Sequence, residues 1–237
     1  MIIKLDMPDV PAPGEPFVGY WGKQMFLGHF SEKSVVVTLS STYVRCVFAA
    51  REDYLAAGQY LRSFYTPAVN GPMRIGDLYR GISRLESCIG GMHLAVRSMT
   101  ELRKRKELAE RERSVISETT RKPRFLGAAS DLLRMMRNKM QHIEDELARG
   151  RLKGDLPIMI QPTGPEKAVD DPGNPGQVLK TIDRLRVHKY EVRFEELACW
   201  LGEMVEYAEL LHSLMPISRN SSTGKVFAPT ASAKIAL

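Results

Sequence analysis

The feature that most constrains the fold of this chain is the spacing of its apolar residues, which recur every three or four positions over long segments. In 34–66 the residues that keep this spacing are Val36, Leu39, Tyr43, Val47, Ala50, Tyr54, Ala57, Leu61 and Phe64. A helix turns 100° per residue, so such residues share one face. The spacing predicts one long helix over 34–66 and a second over 74–110. A short Pro- and Gly-containing loop joins them, which predicts an antiparallel hairpin.

Two shorter segments also have helical spacing. In 126–149 one stripe is formed by Ala129, Leu132, Leu133, Met136, Met140, Ile143 and Leu147. A last helix is predicted over 195–215, with an apolar face of Leu197, Leu201, Met204, Val205 and Leu211. Gly90 and Gly91 stand in the middle of the second long segment, where they indicate either a close helix crossing or a kink.

The remaining segments have other patterns. Residues 1–32 are rich in Pro and Gly but contain aromatic residues, which predicts an irregular N-terminal arm packed on the helices. Short alternating runs, the clearest of them at 187–194, predict a small two- or three-stranded antiparallel sheet within about 157–194. The tail, 216–237, is predicted to be flexible. The fold predicted over 33–215 is therefore mainly α: an antiparallel four- to five-helix bundle with a small β-hairpin or sheet inserted before the last helix.

Composition narrows the class of protein. The chain has 237 residues, a formal net charge of +6 and only three cysteines, which are far apart and lie among apolar residues. We expect reduced thiols and a cytoplasmic protein, because no secretory signal or membrane-spanning apolar run is present. The positive charge is compatible with an RNA partner, and equally with none. Motifs typical of phosphate loops, zinc proteases and paired-cysteine metal sites are absent, so no metal and no cofactor are expected.

The polar side of the 126–149 segment has an unusual composition. Asn138, His142 and Asp145 recur at helical spacing, and Arg137 and Gln141 lie between them and the apolar stripe. A guanidinium, a carboxamide and an imidazole in adjacent turns can hold a phosphate group and move protons at neutral pH. The same residues could also form an ordinary solvated helix face.

The run Arg137-Asn138-Lys139-Met140-Gln141-His142 resembles the signature of the HEPN superfamily (higher eukaryotes and prokaryotes nucleotide-binding), in which an Arg and a polar residue precede a His on a late helix of a bundle. Glu144 stands where toxin members often have Tyr. The resemblance implies a metal-independent endoribonuclease of toxin or antiviral-defence type. It further implies a homodimer that cleaves single-stranded RNA in a composite cleft, and an antitoxin or defence protein as a partner.

The resemblance assigns the catalytic roles to Arg137, Asn138 and His142. Arg137 would grip the phosphate, His142 would transfer protons, and Asn138 would contact the phosphate or orient the imidazole. Substrate binding is assigned to Gln141 and to the basic run Arg103, Lys104, Arg105 and Lys106. This run begins a segment, 101–125, that has nine basic and five acidic side chains. The alternative for the run is a solvated, salt-bridged helix end.

Three functions remain open at the level of sequence. The first is the HEPN-type ribonuclease. The second is a HEPN-like bundle that binds nucleotide, RNA or a protein partner without cleaving it. The third is a helical interaction protein in which Arg137 and His142 are incidental surface residues. Dimerisation through the motif would favour the first two, and RNA cleavage would separate the first from the second.

Overall fold

The computed structural model describes residues 1–12, 34–66, 74–108, 113, 116, 123–142, 148, 160–169 and 176–213. The described residues are mainly helical, with two small three-stranded sheets. Their helices are α1 (Ser34–Tyr65), α2 (Ile75–Arg103), α3 (Ala128–Gln141) and α4 (Phe194–Ser213). Their strands are β1 (Ile2–Leu5), β2 (Gln161–Thr163), β3 (Glu166–Ala168), β4 (Val178–Ile182), β5 (Arg184–Val187) and β6 (Tyr190–Arg193). A short 3₁₀ turn, Arg124–Leu126, precedes α3.

Helices α1 and α2 form the largest helix interface, and they run in opposite directions as the sequence predicts. The helices approach closely at Gly91, where an added Cβ would lie 3.1 Å from the Cβ of Ala50. A Cβ at Gly81 would lie 2.9 Å from a Leu61 methyl group. Gly90 has nothing within 4 Å, so Gly91 alone of the Gly pair makes the crossing. Glycine at these positions therefore allows the apolar faces of the two helices to pack closely.

Buried tyrosines on α1 connect it to α4. The Tyr43 hydroxyl donates a hydrogen bond to the Met204 carbonyl at 3.0 Å, and the Tyr54 hydroxyl donates to the Phe194 carbonyl at 3.2 Å. Burial raises the pKa of both hydroxyls, so both remain donors at neutral pH. Each bond contributes about 1 kcal/mol and also avoids a buried unpaired group. Together they fix the position of α4 against α1.

Helix α3 is held at its start by contacts with these helices. Phe125 is fully buried and packs edge-on against Tyr207 of α4, with ring centroids 5.6 Å apart. The backbone N–H of Arg124 donates to the Glu203 carboxylate at 2.8 Å. The side of α3 that faces α2 buries Ala129, Leu133 and Met136. Because α3 is anchored at one end and packed along one side, its polar residues lie at a fixed position beside α2.

The strands form two sheets, with orders β1-β4-β3 and β2-β5-β6. The prediction of one small antiparallel sheet was therefore incomplete, and the irregular arm predicted at 1–32 contains a strand. Ile2–Leu5 pairs in parallel with β4, from Ile2 opposite Leu179 to Leu5 opposite Ile182. A parallel pair requires a partner distant in sequence, which a local pattern does not reveal. Residues 13–32 of the predicted arm lie outside the described residues, as does the whole predicted tail, 216–237.

Three other boundaries differ from the predictions. The single strand expected at 187–194 is a hairpin, because His188 has a φ of 55° and turns the chain between β5 and β6. Helix α2 ends at Arg103 instead of 110, where consecutive basic residues replace the apolar face. Helix α3 ends at Gln141, whereas the prediction placed its end at 149; within 143–149 the structure describes only Ala148, which is helical. Helices in proteins depend on the packing of an apolar face, so α2 ends where that face ends.

None of the described helices is long and apolar enough to cross a bilayer. The three cysteines are free: Cys46 and Cys88 are buried, and Cys199 is partly buried. Burial raises the pKa of the Cys46 and Cys88 thiols, which keeps them protonated and unreactive.

Candidate functional site

The three residues assigned to catalysis lie at the C-terminal end of α3. Arg137 is partly buried, and its Nη1 donates to the Asn138 side-chain oxygen at 3.4 Å. Asn138 is exposed. His142 is also exposed and caps the helix, with its backbone N–H donating to the Asn138 carbonyl at 3.0 Å. Gln141 is exposed in the same turn. The local helix geometry therefore keeps these residues near one another.

The three residues nevertheless face two different clefts. The first, which we call the α2–α3 cleft, has a volume of about 370 Å³ and is lined by His93, Val96, Arg97, Thr100, Glu101, Ser130, Arg134, Arg137 and Asn138. The second, the α3–β6 cleft, has a volume of about 220 Å³ and is lined by Met135, Asn138, Lys139, His142 and Tyr190. Arg137 thus lines the first cleft, His142 lines the second, and Asn138 lines both.

Three arginines give the α2–α3 cleft its charge. This arginine trio consists of Arg97 on α2 and Arg134 and Arg137 on α3. Arg134 is paired with Asp131 at 3.0 Å, whereas Arg97 and Arg137 have no ion pair with any described carboxylate. Glu101 is the one acidic residue among those lining this cleft. Guanidinium groups donate hydrogen bonds in a planar fork that matches phosphate or carboxylate oxygens, so the cleft suits an anion.

His93 lies in the same cleft and was not predicted from the sequence. Its side chain is only 6% exposed, and its Nδ1 has no hydrogen-bond partner among the described residues. Burial lowers the pKa of this imidazole, and the positive charges of the arginine trio lower it further. His93 is therefore neutral at pH 7, with one nitrogen able to accept a hydrogen bond. A buried polar atom without a partner costs about 1–3 kcal/mol, which a suitable ligand would recover.

One sequence pattern could have pointed to His93 as a site residue. His93 lies among the apolar residues of the 74–110 pattern, and Arg97 follows it by one helical turn. A histidine on an apolar helix face is usually a packed residue, so this signal alone does not indicate a site. Only the packing of α3 against α2 brings Arg134 and Arg137 beside it.

The predicted substrate-binding run lies at the end of α2. Lys104 caps the helix and pairs with Glu101 at 3.0 Å, and this ion pair lowers the pKa of the Glu101 carboxyl. Because Glu101 lines the α2–α3 cleft, the run adjoins that cleft. Lys106 is exposed, and Arg103 and Arg105 are partly buried, with the Nε of Arg105 enclosed and without a partner among the described residues.

The described residues include no cluster of three or more His, Cys, Asp or Glu side chains placed to bind a metal ion. Instead, the site combines fixed positive charge, one buried neutral imidazole and one exposed imidazole. Such groups can bind an anion and transfer protons next to it. Comparison of the chain with models of protein families, with curated proteins and with solved structures finds no match.

Proposed function

We propose that the protein is a metal-independent endoribonuclease of HEPN type, of the toxin or antiviral-defence class, acting in the cytoplasm. In this proposal the helices form a four- to five-helix bundle, and two copies of the chain build one composite site for single-stranded RNA. One observation carries the proposal: Arg137 and Asn138 of the HEPN-like motif share a cleft with Arg97 and Arg134. Three guanidinium groups converging on one cleft favour a phosphate ligand.

In the proposed reaction the arginine trio binds the phosphate that is to be attacked. The 2′-oxygen of the ribose loses its proton to a base and attacks the phosphorus, and the bond to the 5′-oxygen breaks. An acid then donates a proton to that 5′-oxygen. The products are a 2′,3′-cyclic phosphate and a free 5′-hydroxyl group. Positive charge from Arg137 stabilises the additional negative charge of the phosphorane.

Residues on both sides of Asn138 have roles in this scheme. The two copies of His142 in a homodimer supply the base and the acid, and Asn138 hydrogen-bonds the phosphate between the two clefts. Lys104 and Lys106, with Arg103 and Arg105, contact phosphates further along the strand. Gln141, exposed beside His142, offers a polar contact to the same strand.

Another observation favours a second candidate function. Within one chain, Arg137 and His142 line different clefts. A HEPN-like bundle that binds a nucleotide, RNA or a protein partner through the α2–α3 cleft needs no second copy and no proton transfer. The non-cleaving bundle is therefore the alternative. The two candidates differ in whether the bond between the phosphorus and the 5′-oxygen of the RNA breaks.

The deciding experiment incubates the wild-type protein with a mixed single-stranded RNA pool in the presence of a chelator. We expect cleavage to products that end in 2′,3′-cyclic phosphate, and light scattering at tens of micromolar should show a homodimer. An RNA pool that stays intact over hours would exclude the ribonuclease and leave the non-cleaving bundle. A monomer would count against the composite site.

A further inference from the structure

The groups that line the α2–α3 cleft include more hydrogen-bond donors than acceptors. The arginine trio supplies donors only, because a guanidinium has no acceptor. The Glu101 carboxylate is an acceptor, and one of its oxygens already receives a hydrogen bond from Lys104 at 3.0 Å. The Thr100 hydroxyl donates to the Val96 carbonyl at 2.8 Å. His93 Nδ1 is the enclosed nitrogen of this cleft that has no hydrogen-bond partner among the described residues. In the tautomer that is protonated on Nε2, it accepts a hydrogen bond that anionic oxygens alone cannot supply.

His93 is also placed where a group next to the bound anion would reach it. It precedes Arg97 by one turn on α2, and residues four apart on a helix are neighbours. Arg134 and Arg137, three apart on α3, face the same cleft from the other side. A phosphate between the two helices would therefore have the imidazole next to it. The cleft volume of about 370 Å³ lies within the range of small-molecule sites.

We propose that His93 contacts the ribose 2′-hydroxyl adjacent to the phosphate held by the arginine trio, so that the α2–α3 cleft prefers ribonucleotides to deoxyribonucleotides. A ribose 3′-phosphate combines anionic oxygens with a neighbouring hydroxyl donor, and these two features match the trio and the imidazole. The inference rests on the proposed function, in which the ligand is RNA. It describes the bound ribonucleotide before proton transfer to His142, and it requires only binding and no cleavage.

The preference depends on the protonation of His93. The charged groups that line the cleft around it are Arg97 and Glu101 on α2 and Arg134 and Arg137 on α3. Burial and the net positive surroundings lower the pKa of His93, which keeps one ring nitrogen available as an acceptor at neutral pH. When acid protonates the imidazole, both nitrogens become donors. The protonated imidazole donates preferentially to the anionic phosphate oxygens, so the ribose preference should fall while binding of the phosphate persists.

The experiment measures binding of adenosine 3′-monophosphate and of 2′-deoxyadenosine 3′-monophosphate to the full chain by calorimetry. Neither probe has a 5′-linked leaving group to lose, so cleavage does not interfere. The wild type should bind the ribose form about threefold to tenfold more tightly at pH 7.5, as expected for one hydrogen bond. His93→Leu should bind both forms equally, and Arg137→Gln should weaken both by the same factor.

Each result has a defined meaning. Equal binding of the two probes by the wild type, a preference that survives in His93→Leu, or binding of neither probe would overturn the inference. If His93→Leu does not fold, as judged by thermal unfolding, titration of the wild type to acid pH provides the test, because the preference must fall there. A ribose preference without RNA cleavage would sink the ribonuclease proposal alone, and cleavage without a preference would sink this inference alone.

Discussion

The two clefts on either side of Asn138 differ in construction. The α2–α3 cleft lies between two packed helices and combines the arginine trio with a buried imidazole. The smaller α3–β6 cleft lies between the end of α3 and a β-hairpin, and its imidazole, His142, is exposed. Fixed charge between rigid helices suits the binding of an anion, and an exposed imidazole suits proton exchange. Neighbours in a sequence motif can therefore line different clefts with different chemical character.

The largest expected effects are on the rate of RNA cleavage, and the two clefts should differ in whether RNA affinity also changes. His142→Ala should lower RNA cleavage by about 10²–10⁴-fold with RNA affinity unchanged, because it removes an acid–base group. Arg137→Ala should lower cleavage by about 10²–10³-fold and also weaken RNA binding, because it removes charge from the phosphate site. Both residues lie off the buried stripe of α3, so unfolding free energies should change by less than about 1 kcal/mol.

Single-turnover cleavage and RNA binding measure these two effects separately. Arg74→Ala is the matched control, because Arg74 is exposed and caps the opposite end of α2. If His142→Ala and Arg137→Ala both cleave RNA at the wild-type rate, neither cleft takes part in the reaction.

A smaller effect is expected at the edge of the α2–α3 cleft. Replacing Lys104 and Lys106 by Gln should weaken RNA binding by up to about tenfold and reduce the slope of log affinity against log salt by about 1. The rate of the bound complex should not change. Fluorescence anisotropy at several salt concentrations measures both quantities. An unchanged slope would identify the run as a solvated helix end with no role in binding.

The smallest effect concerns the buried imidazole. The folded-state pKa of His93 is lowered, so as pH falls below about 6.5 the unfolded chain binds a proton that the folded chain resists. The wild type should therefore lose stability towards acid pH more steeply than His93→Asn, which has no imidazole to protonate. Urea unfolding between pH 5 and pH 8 compares the two proteins. Parallel stability curves would show that His93 is not held neutral by the fold.

The parts of the fold that depend on local spacing could be predicted from the sequence. Helix α1 was predicted as 34–66 and spans Ser34–Tyr65, because its apolar residues repeat without interruption. Strand β1 was missed, since its partner β4 is far away in the sequence. The end of α2 was placed too late, because helical spacing does not show where tertiary packing stops.

The candidate site was likewise only partly predictable. Arg137, Asn138 and His142 were selected because they are close in sequence. Arg97, Arg134 and His93 join the site only through the packing of α2 against α3, and a single sequence contains no measure of that contact. A histidine among apolar residues is assigned to the core unless a neighbouring helix brings charge to it.

Binding of a single-stranded DNA oligonucleotide shows whether the arginine trio holds a nucleic-acid phosphate. This probe lacks the 2′-hydroxyl, so it stays intact during the measurement. The trio variant (Arg97→Gln, Arg134→Gln and Arg137→Gln) is compared with a control variant of equal charge in which the exposed residues Arg74, Lys167 and Arg193 become Gln. We expect only the trio variant to lose at least about tenfold in affinity and about 2 in salt slope. Wild-type binding by the trio variant, or equal losses in both variants, would contradict it.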